Sequence, residues 1–441
     1  MKERDVMAYM EKVSSRGIVP GLESIRELCA RLGDPQKNLK FVHIAGTNGK
    51  GSVSAYIASA LRQGGYGVGR YISPVIFEYR ERIQVNDRMI TKEALCRMME
   101  RIIHVCKEMT AEGLPHPTPF EMETALGFLY FQEKNCDIVV LETGMGGLLD
   151  ATNVVENTCV AVITSVSMDH MKFLGHTLAE IGEHKAGILK KDCLAVTIKQ
   201  KPEVMEAIYK KAQEAGCSLT VADAEQAVHV HYGLERQQFD YKDIKKLEIG
   251  LAGQYQVENG VLALEALGLL EKKGFGVEEK KLRKGFAQAI WPGRFTVVGK
   301  KPYFIVDGAH NEDGAKRLAE SLEFYFTNRK IIYIMGVLRD KEYEKIISLT
   351  HSLAEQIITV AAPGNSRALP AYELAREIAL VHPDVTAADS PEEAVEMSYL
   401  LAKPEDVILA FGSLSFLGQI IKIAEKRNEG MGHRGKGSAV K

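Results

Sequence analysis

The sequence predicts an α/β protein of two domains, and three observations carry that expectation. Short β-branched runs alternate with longer helical stretches from Asn38 onward, and the alternation starts afresh near Lys301. The third is length, because 441 residues exceed what one compact core holds.

In the first series, Phe41 to Ala45 reads as a strand and Ser52 to Gln63 as a helix of interleaved small and apolar residues. Cys136 to Leu141 (CDIVVL) and Cys159 to Thr164 (CVAVIT) are unbroken apolar runs, which suit central strands of a parallel sheet covered on both faces. Helices are predicted at Thr91 to Glu112, Glu121 to Lys134 and Thr177 to Lys190. The second series places strands at Tyr303 to Asp307, Lys330 to Met335, Gln356 to Val360 and Val407 to Phe411. Its helices fall at Asp313 to Phe326, Lys341 to Leu353, Ala371 to Val381 and Pro391 to Ala402. The segment Trp291 to Lys301 carries Pro and Gly and marks the boundary, giving domains over 1–296 and 297–427. From about Lys426 the chain turns polar and glycine-rich, so 428–441 is expected to be a disordered tail.

A net charge of -2 argues against a nucleic-acid binder, which shows a basic excess. Met1 to Lys12 is charged and lacks the apolar centre of a signal peptide, and no apolar run is long enough to span a bilayer. The seven cysteines are scattered, with no Cys-x-x-Cys pair, and read as reduced thiols of a cytoplasmic protein.

The sharpest local signal is His43-Ile-Ala-Gly-Thr-Asn-Gly-Lys-Gly-Ser52, set between a predicted strand and a predicted helix. Gly46, Gly49 and Gly51 allow close approach of backbone N–H groups to a polyphosphate, and the helix start adds its positive end. Lys50 supplies a point charge to the β/γ-phosphates. The loop departs from G-x-x-x-x-G-K-[ST]: Gly51 stands where a metal-binding hydroxyl is expected, and Ser52 comes one place late. Two further residues stand out. Glu142 closes a predicted buried strand, where α/β sheets place ligand groups. Lys185 lies on the apolar stripe Leu178, Ile181, Ile188 of a helix that Thr177 and Glu180 open as a capping box, so it must snorkel, pair or change charge.

Gly-Thr-Asn-Gly-Lys-Gly-Ser resembles the ATP loop of the folylpolyglutamate synthase/dihydrofolate synthase family of Mur-type amide ligases. The resemblance runs from about Gly17 to Gly418. It takes in Gly17-Ile-Val-Pro-Gly-Leu, Ser73-Pro74, Glu81-Arg-Ile, Thr118-Pro-Phe-Glu121, Glu142-Thr-Gly-Met-Gly-Gly and Leu149-Asp-Ala-Thr-Asn153. Asp169-His170, Lys185-Ala-Gly-Ile188, Gly253-Gln-Tyr-Gln-Val-Glu-Asn259, Pro292-Gly-Arg294, Asp307-Gly-Ala-His-Asn311 and Gly412-Ser-Leu414 follow in order.

The resemblance implies a P-loop-type, mostly parallel N-terminal domain and a smaller Rossmann-like C-terminal one. It implies a ligase that activates a folate carboxylate with ATP as an acyl phosphate, then joins it to L-glutamate. ATP would be held by Thr47, Asn48, Gly49, Lys50, Gly51, Ser52, Asn259, Arg294, Asp307 and His310, with Arg294 at the domain boundary reaching a nucleotide that bridges both domains. Two magnesium ions are implied, one on Ser73 and Glu142 and one with His170, together with a monovalent cation and a carbamylated Lys185. Lys50, Lys185 and His170 are the implied catalytic residues. Thr118, Pro119, Phe120, Glu121 and Asp150 match the folate side, with tetrahydrofolate or dihydropteroate as acceptor and a monomeric enzyme expected. Val75, His184, Tyr255 and Phe411 depart from the usual family residues and bear on acceptor preference. Two other readings stay open: a Mur-type ligase for a different carboxylic acid, and a nucleotide-binding regulatory protein without turnover.

Overall fold

The computed structural model describes residues 1–14 and 21–434; Gly17 to Pro20 of the upstream motif lie outside the described residues. The chain divides into two compact units. The first comprises 1–229, 239–249 and 257–289, and the second 230–238, 250–256 and the chain from Ile290. The division at Ile290 precedes the expected boundary at 296/297. The reason is packing: Phe295 is fully buried, its ring lies 5.5 Å from that of Tyr325, and its N–H donates to Asp307.

The first unit is organised by an eight-stranded sheet. Its strands are β1 (Phe41–Ala45), β2 (Val68–Tyr71), β3 (Ile83–Val85), β4 (Arg88–Met89), β5 (Ile138–Glu142), β6 (Thr158–Ile163), β7 (Leu194–Ile198) and β8 (Ser218–Ala222). They run in the order β4-β3-β2-β5-β1-β6-β7-β8, with β2 to β8 parallel and the β3/β4 edge antiparallel. Every residue of β1 and β5 is buried, as their apolar runs require of central strands. Ile44 pairs with Glu142, so the carboxyl ends of β1 and β5 open side by side. The helix Lys50–Gly64 that follows β1 is buried from Gly51 through Leu61, which its small residues permit. The helix Glu279–Gln288 lies against it at very close range. A Cβ on Gly285 would sit 2.5 Å from Ala60 Cα, and the rings of Tyr56 and Phe286 stack at 5.0 Å.

Three short strands, β9 (Val228–His231), β10 (Gln237–Tyr241) and β11 (Ile244–Ile249), form a separate sheet. The second unit has a six-stranded sheet of β12 (Thr296–Lys300), β13 (Tyr303–Asp307), β14 (Ile331–Met335), β15 (Gln356–Thr359), β16 (Val385–Ala387) and β17 (Val407–Phe411). The order is β12-β13-β17-β14-β15-β16, and only β12 is antiparallel to its neighbour. The four strands expected from sequence form its continuous centre. Its core includes Ile305, Leu318, Tyr333, Leu374, Leu409 and Phe411.

The expected disordered tail is corrected in its first part. The last helix spans Leu414–Arg434, and residues 435–441 lie outside the described residues. Arg427 sits over the Tyr399 ring at 4.6 Å, while Asn428 accepts from Tyr399 and donates to Val298. These contacts carry the helix past the polar onset. No helix among the described residues is long and apolar enough to cross a membrane.

Candidate active site

The loop between β1 and the Lys50–Gly64 helix is shaped by glycines at positions where a side chain does not fit. Gly46 has φ 152° and Gly49 φ 88°, both in the region that disfavours L side chains. A Cβ on Gly46 would lie 1.8 Å from Thr164 Oγ1, and one on Gly49 would lie 2.6 Å from Asn259 Oδ1. The segment after β6 clamps the loop: Thr47 N–H donates to Ser165 O (2.7 Å), and Thr164 Oγ1 donates to Asn48 O (2.6 Å). Thr47 Oγ1 donates to Ser167 O at 3.0 Å, so this hydroxyl works within the loop frame. Lys50 opens the helix and folds back over the loop, donating to Gly46 O (3.1 Å) and Thr47 O (3.2 Å). Its ammonium lies 4.0 Å from Glu142 Oε1, as the pairing of β1 with β5 dictates. Gly51 and Ser52 are buried just inside the helix.

Glu142 is buried at the end of β5, and Ser73 Oγ is a buried oxygen with no hydrogen-bond partner. A hard oxygen set of carboxylate and hydroxyl fits magnesium, which keeps several waters and asks few protein ligands. His170 stands in an exposed loop, its Nε2 3.8 Å from Asp169 Oδ2. Among the described residues no three His, Cys, Asp or Glu side chains gather as a metal cluster.

Lys185 is only 3% exposed, on the helix Leu178–Ala186 that Thr177 and Glu180 cap as the sequence predicts. Snorkelling to solvent is therefore excluded. Burial first, then repulsion from Lys50, pushes its pKa down from 10.5 to about 7, against the pull of Asp169 and Asp150. The same interactions show that Lys50, Lys185, Asp150 and Asp169 share one electrostatic environment.

The expected folate residues divide. Thr118, Pro119 and Glu121 build the start of the helix Pro119–Glu133. Thr118 Oγ1 accepts from Glu121 N–H, and the Glu121 carboxylate accepts from Thr118 N–H (2.7 Å) and Oγ1–H (2.8 Å). Glu121 is thereby occupied, and burial raises its pKa. Phe120 is half-buried, with Arg82 6.0 Å above its ring, and Gly144 makes room for it: a Cβ there would meet Phe120 Cζ at 2.5 Å. Asp150 is buried and accepts from Met145 N–H, Thr152 N–H and Thr152 Oγ1–H, which fixes the loop after β5. His43 extends that network. Its Nε2 lies 2.9 Å from Thr152 Oγ1, and burial lowers its pKa from 6.5 to about 3. The sequence signal for it was a histidine inside an otherwise apolar strand.

In the second unit Asp307 closes β13. Its carboxylate accepts from Phe295 N–H (2.8 Å), Ala309 N–H (2.8 Å) and Tyr255 O–H (3.1 Å). Burial raises its pKa while Arg294 opposes the rise. His310 Nδ1 is 2.7 Å from Gly308 O. Arg294, Asp307 and His310 thus fall together, and Tyr255, known from sequence only as a departure, joins them.

Comparison with known proteins identifies the family. Residues 44–267 match the Mur ligase middle domain, and 293–414 match the Mur ligase glutamate ligase domain. A Bacillus subtilis dihydrofolate synthase/folylpolyglutamate synthase is 35% identical over 428 residues, covering 95% of this chain and 98% of that protein. The Mycobacterium tuberculosis folylpolyglutamate synthase complexed with ADP and AMPPCP superposes with a TM-score of 0.87 at 28% identity, covering 96% of this chain and 99% of that one. E. coli FolC in complex with DHPP and ADP gives 0.83 at 29%, covering 96% and 98%. The chain belongs to the Mur ligase family, within its folylpolyglutamate synthase/dihydrofolate synthase branch.

Proposed function

We propose that this chain is an ATP-dependent ligase that adds L-glutamate to tetrahydrofolate, and also to dihydropteroate, through an acyl-phosphate intermediate. The observation that carries the reading is the Gly46–Lys50 loop, with Lys50 and Glu142 at the adjacent ends of β1 and β5 and Lys185 buried in the same field. A carboxylate oxygen of the folate attacks the γ-phosphorus, and the bond to the ADP oxygen breaks. The amine of glutamate then attacks the acyl carbon, and phosphate leaves. Backbone N–H groups at the helix start and the Lys50 ammonium face the polyphosphate, where they neutralise charge without reorganising. Ser73 and Glu142 would hold one magnesium ion, and His170 would serve a second. When bound, magnesium supplies positive charge to the triphosphate.

The low pKa of Lys185 favours the free amine near neutrality, the form that adds to carbon dioxide and loses a proton to give a carbamate. Carbamylation would turn a buried cation beside Lys50 into an anionic oxygen ligand, and removal of that repulsion supports it. Phe120 supplies the flat face for the pterin, framed by Arg82 and Gly144. Arg294, Asp307, His310 and Asn259 are proposed as further nucleotide contacts.

The test is phosphate release from ATP with glutamate, offering tetrahydrofolate and dihydropteroate separately. Release that depends on both pterins is expected. Release that ignores both, with another carboxylic acid required, transfers the chain to a different acceptor. Enrichment with ¹³C-bicarbonate gives an independent readout of Lys185, with a carbamate resonance expected in wild type and absent in Lys185→Met.

A further inference from the structure

Two cysteines outside the site are paired by the sheet itself. Cys193 and Cys217 immediately precede β7 and β8, and Leu194 is the register partner of Ser218. They are therefore the next residues outward along one parallel pair. Their sulfurs lie 2.9 Å apart, and Cys217 S–H also reaches Cys193 O at 3.0 Å. Both thiols are free, Cys193 is buried and Cys217 is half-buried. Lys190 N–H points at Cys193 Sγ (3.4 Å), and Lys273, anchored on Asp192 O at 3.1 Å, adds positive charge.

We propose that Cys193 and Cys217 are an oxidation site that closes reversibly into a disulfide under peroxide, stapling β7 to β8 across the helix Pro202–Ala215. In the overall step each sulfur gives up one proton and one electron. The S–S bond forms, the O–O bond of hydrogen peroxide breaks, and two waters leave. Disulfide formation joins sulfurs at about 2 Å from backbones held at neighbouring positions, and the parallel register puts these two residues at neighbouring positions with their sulfurs already 2.9 Å apart. The donated hydrogen bonds and nearby lysines hold Cys193 below the usual thiol range, whereas burial pushes Cys29, Cys106 and Cys136 up to about 12. Cys193 is thus the thiol that forms the thiolate ahead of the others, while the same hydrogen bond and burial push its partner Cys217 up, so Cys193 attacks and Cys217 resolves. The pair lies at the amino ends of parallel strands, while the phosphate loop and Glu142 lie at carboxyl ends. Closure therefore adds a restraint far from the nucleotide and leaves turnover intact.

The experiment treats the reduced full-length chain with hydrogen peroxide, denatures it, counts thiols and maps peptides without reduction. The expected result is loss of two of the seven thiols, with one dithiothreitol-sensitive peptide pair joining Cys193 to Cys217, a raised melting temperature and turnover within about twofold of the reduced enzyme. Cys217→Ser and Cys193→Ser should each abolish that pair. The half-buried Cys217→Ser keeps the test usable if the buried variant folds poorly. Seven thiols retained, a different cross-linked pair, or turnover lost as the bond forms would each overturn the proposal.

Discussion

Replacing Gly46 by alanine places one methyl group where the first turn of the phosphate loop has no room. At φ 152° a Cβ costs about 1–3 kcal/mol in backbone strain. The new carbon would also stand 1.8 Å from Thr164 Oγ1 and 3.2 Å from Thr164 Cα, the second a backbone atom of the strand-end clamp. Such overpacking costs about 1–3 kcal/mol, and a displaced Thr164 surrenders its bond to Asn48 O, worth about 1 kcal/mol. Together these predict about 3–7 kcal/mol, a large share of the margin of an ordinary domain. Urea unfolding followed by circular dichroism, with nucleotide affinity from calorimetry, reads both consequences. Thr164→Ala in the Gly46→Ala background should recover part of the stability, because it removes the hydroxyl but leaves the carbon 2.9 Å away. Gly268→Ala is the control: nothing lies within 4 Å of its Cβ in an exposed part of a helix, so it should stabilise by about 0.5–1 kcal/mol. A Gly46→Ala enzyme as stable as wild type, with unchanged nucleotide binding, would refute the loop geometry.

Lys50→Ala should lower turnover at least about a hundredfold while the melting temperature stays within a few degrees, since the role proposed for the side chain is on the polyphosphate and not in the core; steady-state kinetics beside calorimetric melting checks this. Phe120→Ala should raise KM for the pterin about tenfold and leave KM for ATP unchanged, because the role proposed for the ring is pterin stacking and not phosphate binding; the two titrations run separately show which substrate feels the loss. His43 makes stability depend on acid. Its folded pKa of about 3 lies below the ordinary 6.5, so the unfolded chain binds more protons between those values, and stability is full above pH 6.5 and falls as pH drops towards 3. From pH 6.5 to 5 the loss is about 2 kcal/mol from this residue alone, and His43→Gln should flatten that part of a urea-unfolding pH series.

Much of the fold could be read in the chain because its central strands are buried on both faces and so spelled as unbroken apolar runs, as in CDIVVL and VILAF. The edges were harder. Strands β9 to β11 are short, and the valine–histidine alternation of β9 (VHVH) is only four residues long and mostly exposed, too brief to stand out as a strand in the chain. The helix beyond Lys426 looked like a tail because its glycines weaken helix propensity, and what holds it, Tyr399 with Arg427 and Asn428, is a tertiary contact. Within the site, the phosphate loop and the buried Lys185 follow from glycine spacing and an apolar stripe. The role of Glu121 could have been seen, since Thr118-Pro-Phe-Glu121 repeats the capping-box pattern recognised at Thr177 and Glu180. Tyr255 on Asp307 could not, because fifty-two positions separate them in the chain.

The contact of Gly285 with Ala60 bears on the order in which the protein can be completed during synthesis. The phosphate-loop helix leaves the ribosome more than two hundred residues before the helix that covers its outer side. Until Gln288 has emerged, Tyr56 lacks Phe286 and the small-residue groove along Ser59 and Ala60 faces water. A nascent N-terminal half would therefore hold its sheet but not a settled nucleotide loop. Fragments ending before Glu279 should bind nucleotide poorly even though they contain every loop residue.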